Sequence, residues 1–188
     1  MLKFGVIGTS KKPNENRVPI HPDHLSRLPV ELRRQLIFET GYGERFGFSD
    51  EEIAQLTAGH TLERKKILSE IGNVIIAKPI LSDLNELREG GVIWGYPHCT
   101  QQREITQAAI DRKISIIAFE EMFVWSPEGR IGRHTFYKNN ELAGYCAILH
   151  ALELKGIDGH YGNQRKVLIF SFGAVSRGAI YALKARGI

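Results

Sequence analysis

The sequence predicts an α/β fold, a mainly parallel sheet with helices on both faces, followed by the first β-α unit of a second sheet. Three observations predict it. Short runs rich in β-branched and aromatic residues recur along the chain, and longer segments with apolar residues at three- and four-residue spacing lie between them. Near the end, the apolar run "KVLIF" leads into a glycine turn and another helical pattern. Strands that alternate with helices are joined by crossovers, so the strands run parallel and the helices cover the sheet.

The elements follow in order. "KFGVIG" is the first predicted strand, then "LIFET", "NVIIA", "VIWGY", "ISIIAF" and last "KVLIF". "SDEEIAQLTAG" is a helix opened by a capping box, Ser49 with Glu52, and closed at glycine. "TLERKKILSEIG" and "TQQREITQAAIDRK" carry helical periodicity. "WSPEGRIGRHTFYK" holds the last proline and no periodicity, which predicts a linker or long loop, and "NNELAGYCAILHALELKG" predicts a long helix ending at Gly156. The expected organisation is one α/β domain over residues 1–130, then a linker, a connecting helix and the opening of a second domain over 131–188.

Composition narrows the function classes. A chain of 188 residues, 43% hydrophobic, buries one core or one domain with part of another. No apolar stretch approaches the ~18 residues that span a bilayer, and "MLKFGVIGTS" lacks the features of a secretory signal, so a cytoplasmic protein without a membrane partner is expected. Cys99 and Cys146 are too few for a disulfide framework and are read as free thiols. The net charge of +4 is interspersed with acidic residues, as on solvated helix faces, which argues against nucleic acid and for small anionic ligands. Cys146 and His150 share a helix face, but two ligands make no metal site, and no metal is expected. No Ser–His–Asp or nucleophile-elbow signature is present.

The turn "FSFGAVSRGA" has the outline of a dinucleotide fingerprint, G-x-G-x-x-G/A between strand and helix. Ser171, Gly173 and Ser176 occupy its three glycine places, Ala174 and Val175 start the helix, and Gly178 and Ala179 stand just beyond. The chain ends before the second strand and the acidic residue that would hold a ribose. A strand entering a surface helix through a glycine turn is the plain alternative.

Ligands of open α/β sheets bind beyond the carboxyl ends of the strands, and that rule selects four side chains. Arg17 lies in the loop after the first strand, Lys78 follows "NVIIA", His98 follows "VIWGYP" and Glu120 follows "ISIIAF". Each has a plain alternative: a solvated loop arginine, a surface lysine, or strand-end residues that satisfy local backbone groups. Together they suit one chemistry. Arginine clamps a carboxylate through two parallel hydrogen bonds, and a lysine crowded by cations and partly desolvated becomes a base near neutral pH. Beside a nicotinamide-type turn, such a set suggests hydride transfer at a carbon bearing a carboxylate.

These residues carry a family resemblance. "KKPNENRVPIHPDHL" resembles the N-terminal Glu-x-Arg-Val…Pro signature of the alanine dehydrogenase and pyridine nucleotide transhydrogenase superfamily. "ETGYGERFGFSDEEIAQLTAG" is similar to its glycine turn and acidic helix, "IIAKPI" to its Lys-Pro strand end, and "YPHCTQ" to its histidine loop. "PHCTQQ", "NNELAGYCAILHAL" and "FGAVSRGA" look closer to the opine-forming branch, that of carboxyethylornithine synthase and lysine-forming saccharopine dehydrogenase. The resemblance implies that Arg17 binds an oxo-acid carboxylate, Lys78 and His98 form the acid–base pair, Glu120 keeps a carboxylate near them, and the Ser171–Gly178 turn meets the pyrophosphate of NAD or NADP. Substrates implied are a 2-oxo acid and an amine or amino acid, and the partner a second copy or a complementary nucleotide-binding half. Ser171 departs from the pattern, which has glycine there. The expectation is the N-terminal half of a two-domain dehydrogenase; the alternative is a non-catalytic binding module or the substrate subunit of a split enzyme.

Overall fold

The computed structural model describes residues 2–188 and divides into two compact units, one ending at Glu120 and one running Glu121–Ile188. The predicted border lay near residue 130, inside the segment that opens the second unit.

In the first unit, six strands form one parallel sheet: β1 Phe4–Ile7, β2 Leu36–Glu39, β3 Thr61–Leu62, β4 Asn73–Ile76, β5 Val92–Gly95 and β6 Ser115–Ala118. Their order is β3-β2-β1-β4-β5-β6, so the chain steps outward from β1 in one direction and then returns to its other side. Five helices belong to this unit: α1 Val30–Arg33, α2 Asp50–Leu56, α3 Arg64–Lys66, α4 Leu81–Glu86 and α5 Arg103–Asp111. α2 begins at the predicted capping box, with Ser49 and Glu52 bonded reciprocally. α5 turns Ile105 and Ala109 into a core built from Ile7, Ile67, Leu68, Val74, Ile76, Leu84, Leu87 and Ile93.

Where one helix was expected over "TLERKKILSEIG", the chain forms the edge strand β3, the single turn α3 and a π-helical turn Ile67–Ile71. The wider turn sends Ile67 and Leu68 fully into the core. α4 was not expected; its first turn is fixed by Asp83, whose Oδ2 accepts the Ile80 N–H at 2.9 Å.

One polar network ties the end of β1 to the start of α4. Glu39, buried at the end of β2, accepts the Gly8 and Thr9 amides at 2.8 Å each and the Thr9 hydroxyl at 2.7 Å. Arg64 donates to the Thr9 carbonyl at 2.7 Å and to the Thr9 hydroxyl oxygen at 2.8 Å, and its other arm donates to Asp83 at 2.6 Å. Asp83 is 1% exposed, so its charge is held almost wholly by protein donors.

The second unit holds an antiparallel hairpin, β7 Phe123–Trp125 with β8 Ile131–His134, and two helices, α6 Tyr137–Lys155 and α7 Ala174–Ala185. The hairpin corrects the linker reading of "WSPEGRIGRHTFYK". Its loop closes through Gly129 N–H to the Ser126 carbonyl and Ser126 N–H to the Arg130 carbonyl, both 3.0 Å, a turn that period-two patterning does not reveal. α6 ends at Gly156 as predicted, in the left-handed conformation. Gly144 and Gly178 set the approach of α6 and α7: a Cβ on Gly178 would lie 1.7 Å from the Glu141 carbonyl oxygen, and one on Gly144 1.9 Å from that of Val175. "KVLIF" forms no strand among the described residues, and Leu168 and Phe170 stand 77% and 83% exposed. A strand exists only against a neighbour, and the run finds no ladder partner here. No described helix is long and apolar enough to cross a membrane.

Two outcomes follow for urea denaturation. Arg64→Met removes the guanidinium shared by Asp83 and Thr9 and should lower stability by about 3–5 kcal/mol, the cost of breaking a buried ion pair; a midpoint shift too small for 1 kcal/mol would show the network to be inert. Gly178→Ala should cost about 1–3 kcal/mol by forcing α6 and α7 apart, read from helical circular dichroism, and an unshifted transition would contradict the close approach.

Candidate active site

The order of the sheet places a topological switch at β1, whose neighbours β2 and β4 are reached in opposite directions. Loops at the carboxyl ends of the strands around such a switch form the ligand crevice of open α/β sheets. The loop after β1 carries Lys12, Glu15 and Arg17, while Lys78 follows β4, His98 follows β5 and Glu120 follows β6.

Arg17 is partly exposed but not loose. Its Nε donates to Glu15 Oε1 at 2.8 Å and its Nη2 to Oε2 at 2.5 Å, and its guanidinium sits 5.6 Å from the centre of the Tyr96 ring. Hydrogen bonds from Arg17 hold the Glu15 carboxyl down at about 2, against the upward push of burial. Arg17 thus stands as an exposed loop arginine held in place by an ion pair within its own loop. Tyr96 stacks on His98, ring centres 6.0 Å apart, and meets Phe119 edge-on at 5.2 Å. Burial pushes the Tyr96 hydroxyl up, Arg17 opposes that push and Glu120 adds to it.

His98 is held in a left-handed backbone conformation, φ 52°, a strained state for a residue with a side chain. The Glu120 carboxylate accepts its N–H at 2.6 Å and lies 3.7 Å from its Nδ1. Glu120 thus does satisfy a backbone group, and that group belongs to His98. Partial burial lowers the His98 pKa; Glu120 pulls it back up, and Lys78, Lys12 and Arg17 add to the lowering. Burial also lowers the Lys78 pKa, reinforced by Lys12 and then Arg17 and opposed by Glu15. His98 thus feels the charge of Lys78, and Arg17 acts on both of them.

Sequence reasoning missed three members. Lys12 and Tyr96 were given no role, and Glu15 was quoted in a motif without one. The available clue was spacing: a carboxylate two residues before an arginine in a strand-end loop reaches back to its guanidinium.

The other candidates lie in the second unit. Ser171 is exposed at φ 74°, so serine keeps the left-handed conformation for which the fingerprint employs glycine. Gly173 is the N-cap of α7, which begins at Ala174 and Val175; Ser176 Oγ donates to the Phe170 carbonyl at 3.5 Å. Gly178 is buried against α6, and packing alone explains its lack of a side chain. Cys99 and Cys146 are free, and no group of three or more metal-ligating side chains occurs among the described residues.

Known proteins are similar along most of this chain. It is 27% identical to an N(5)-(carboxyethyl)ornithine synthase of Clostridium botulinum over 97% of its own length and 58% of the relative's, and 26% identical to one from Lactococcus lactis, also over 97% and 58%. An alanine dehydrogenase 2 of Staphylococcus aureus is 32% identical over 63% of this chain and 32% of the relative. The chain thus spans a little over half the length of the synthases it matches. Among solved structures, an L-alanine dehydrogenase superposes with a TM-score of 0.70 at 22% identity, over 98% of this chain and 52% of the other, which shows the shared fold. The family profile "Alanine dehydrogenase/PNT, N-terminal domain" matches residues 6–128, spanning the carboxyl end of every strand of the six-stranded sheet. The chain belongs to the alanine dehydrogenase/PNT family, through that N-terminal domain.

Proposed function

We propose that this chain supplies the substrate-binding and acid–base half of an NAD(P)-dependent amino-acid or opine dehydrogenase, which joins a 2-oxo acid and an amine and reduces the resulting imine, or runs the reverse oxidation. The observation that carries the reading is the cluster at the strand ends. Arg17, Lys78 and His98 lie within one another's electrostatic reach, and a lysine among cations has a lowered pKa. Arg17 orients the oxo-acid carboxylate, Lys78 exchanges the proton on nitrogen or oxygen, and His98 polarises the carbonyl. Glu120 fixes the His98 backbone and tunes its ring.

The nicotinamide cofactor, when bound, supplies the hydride. The exposed turn Ser171–Ser176 at the N-terminus of α7 suits its pyrophosphate, because amides at a helix start point outward and favour anions. The choice between NAD and NADP rests on groups outside this turn.

Glu15 already occupies one edge of the Arg17 guanidinium, so an incoming carboxylate competes with it. Pyruvate should therefore bind in the millimolar range, about −4 kcal/mol, by isothermal calorimetry. Arg17→Ala should abolish the heat and Glu15→Gln should tighten binding; pyruvate binding that survives Arg17→Ala would refute the carboxylate role.

The electrostatics make a prediction of opposite signs. Lys12→Met removes a cation and should raise the Lys78 pKa, whereas Glu15→Gln removes an anion and should lower it. The pH dependence of Lys78 acylation, followed by peptide mass spectrometry, reads both. Shifts of the same sign in the two variants would contradict the cluster.

A further inference from the structure

Tyr96 stands in the middle of the cluster, although the chemistry above gives it nothing to do. It is the first residue past β5, and its N–H donates to the Ala77 carbonyl at 3.1 Å, one residue before Lys78. Its ring stacks on that of His98, within 25° of parallel, and the Arg17 guanidinium lies over it, 5.6 Å from its centre. Phe119, which meets the ring edge-on, directly precedes Glu120. One residue thus adjoins all four strand-end candidates, two through its ring and two through their chain neighbours.

The ring rests on the sheet. Phe119 is 8% exposed and packs on Trp94, which in turn meets Phe4 of β1 edge-on at 6.4 Å. Gly95 lets β5 press against β4 just before Tyr96, since a Cβ there would lie 2.1 Å from the Ile76 carbonyl oxygen. Tyr96 is therefore fixed to the central strands, whereas Arg17 and its ion-pair partner Glu15 stand on one and the same loop. Glu15 orients the guanidinium within that loop. A contact to the sheet is what sets it against His98.

An aromatic face suits this task. The donors of a guanidinium lie in its plane, so a ring against its flat side holds the cation without taking a hydrogen bond that a substrate carboxylate needs. A second carboxylate in the same place would compete for those donors. The Tyr96 hydroxyl is no rival proton source, because burial pushes its pKa up from the tyrosine range.

We propose that Tyr96 is a positioning residue whose ring holds the Arg17 guanidinium at a fixed place beside the His98 imidazole, so that the carboxylate clamp and the carbonyl-polarising group address one 2-oxo acid together. The proposal rests on the roles given to Arg17 and His98 above.

Nuclear magnetic resonance on this chain reads two quantities, pyruvate affinity and the His98 titration. Tyr96→Phe keeps the ring and should bind pyruvate within about twofold of the parent. Tyr96→Leu removes the ring and should weaken binding about three- to tenfold, the range of a partly exposed cation–π contact. Pentafluorophenylalanine at position 96 keeps the shape but reverses the charge distribution of the ring face, so it should weaken binding too, and it serves if the leucine variant misfolds. The second readout needs no ligand. Arg17 lowers the His98 pKa, as Lys78 and Lys12 do and against the pull of Glu120, so Arg17→Ala should raise it. With the leucine or the fluorinated ring at position 96, Arg17 is no longer held, and the same substitution should raise it by less than about half as much. Pyruvate affinity left intact by both ring replacements, or an undiminished Arg17 effect on His98, would overturn the positioning role. A parent that binds no pyruvate would refute the oxo-acid role of Arg17, and the titration then decides alone: a diminished Arg17 effect supports the positioning role of Tyr96, and an undiminished one overturns it.

Discussion

The arrangement depends on Arg64 and the two buried carboxylates it works with. In a dinucleotide-binding βαβ unit, the amides after the first strand meet phosphate at a helix start. Here the corresponding amides of Gly8 and Thr9 are turned onto Glu39, and no helix follows β1 directly. The first strand end is thus closed to phosphate from within. Its loop is released to carry side chains over the sheet edge, and Arg64 fixes where that loop begins by holding Thr9 and, through Asp83, the chain just past Lys78. Charges buried this deeply gain nothing on balance unless every donor is matched. Their value lies in registration, because the β1 loop and the β4 loop cannot drift apart while Arg64 spans them.

That registration makes the crowding of cations tolerable. Lys12, Arg17 and Lys78 repel one another, and a loosely held cluster would relax into solvent and lose the effect. Glu15 offsets part of the charge without quenching Lys78, because both of its oxygens are engaged by Arg17. The result is a lysine and a histidine whose pKa values are both lowered, each chiefly by burial and further by neighbouring cations. The strained backbone at His98 fits the same logic: Glu120 holds the N–H at a short distance, and the ring is presented against Tyr96 instead of following the strand direction.

What could be read from the sequence was what strand periodicity and end position dictate. The five longer strands of the sheet, the capping box at Ser49 and the long helix ending at Gly156 are local features with local causes. Arg17, Lys78, His98 and Glu120 were selected because the parallel topology puts all carboxyl ends on one edge. Other features depend on contacts that no local pattern encodes. The π-helical turn at Ile67 answers to the core beneath it, and the hairpin around Pro127 to a loop geometry set by Ser126 and Gly129. Lys12 and Glu15 went unassigned because only the fold brings them to Lys78. "KVLIF" was misread for the converse reason: its composition is that of a strand buried on both faces, but a ladder needs a second strand.

The same contrast separates the glycines of the final turn. At Ser171 the backbone keeps a left-handed φ that glycine adopts without strain, so the conformation persists although the residue has changed. At Gly178 the constraint is space, since any side chain would collide with the Glu141 carbonyl. A serine is thus tolerated at the first position at a modest local cost, while substitution at the second moves a helix. The turn and the helix after it therefore answer to two separate physical demands, backbone conformation at Ser171 and close helix approach at Gly178.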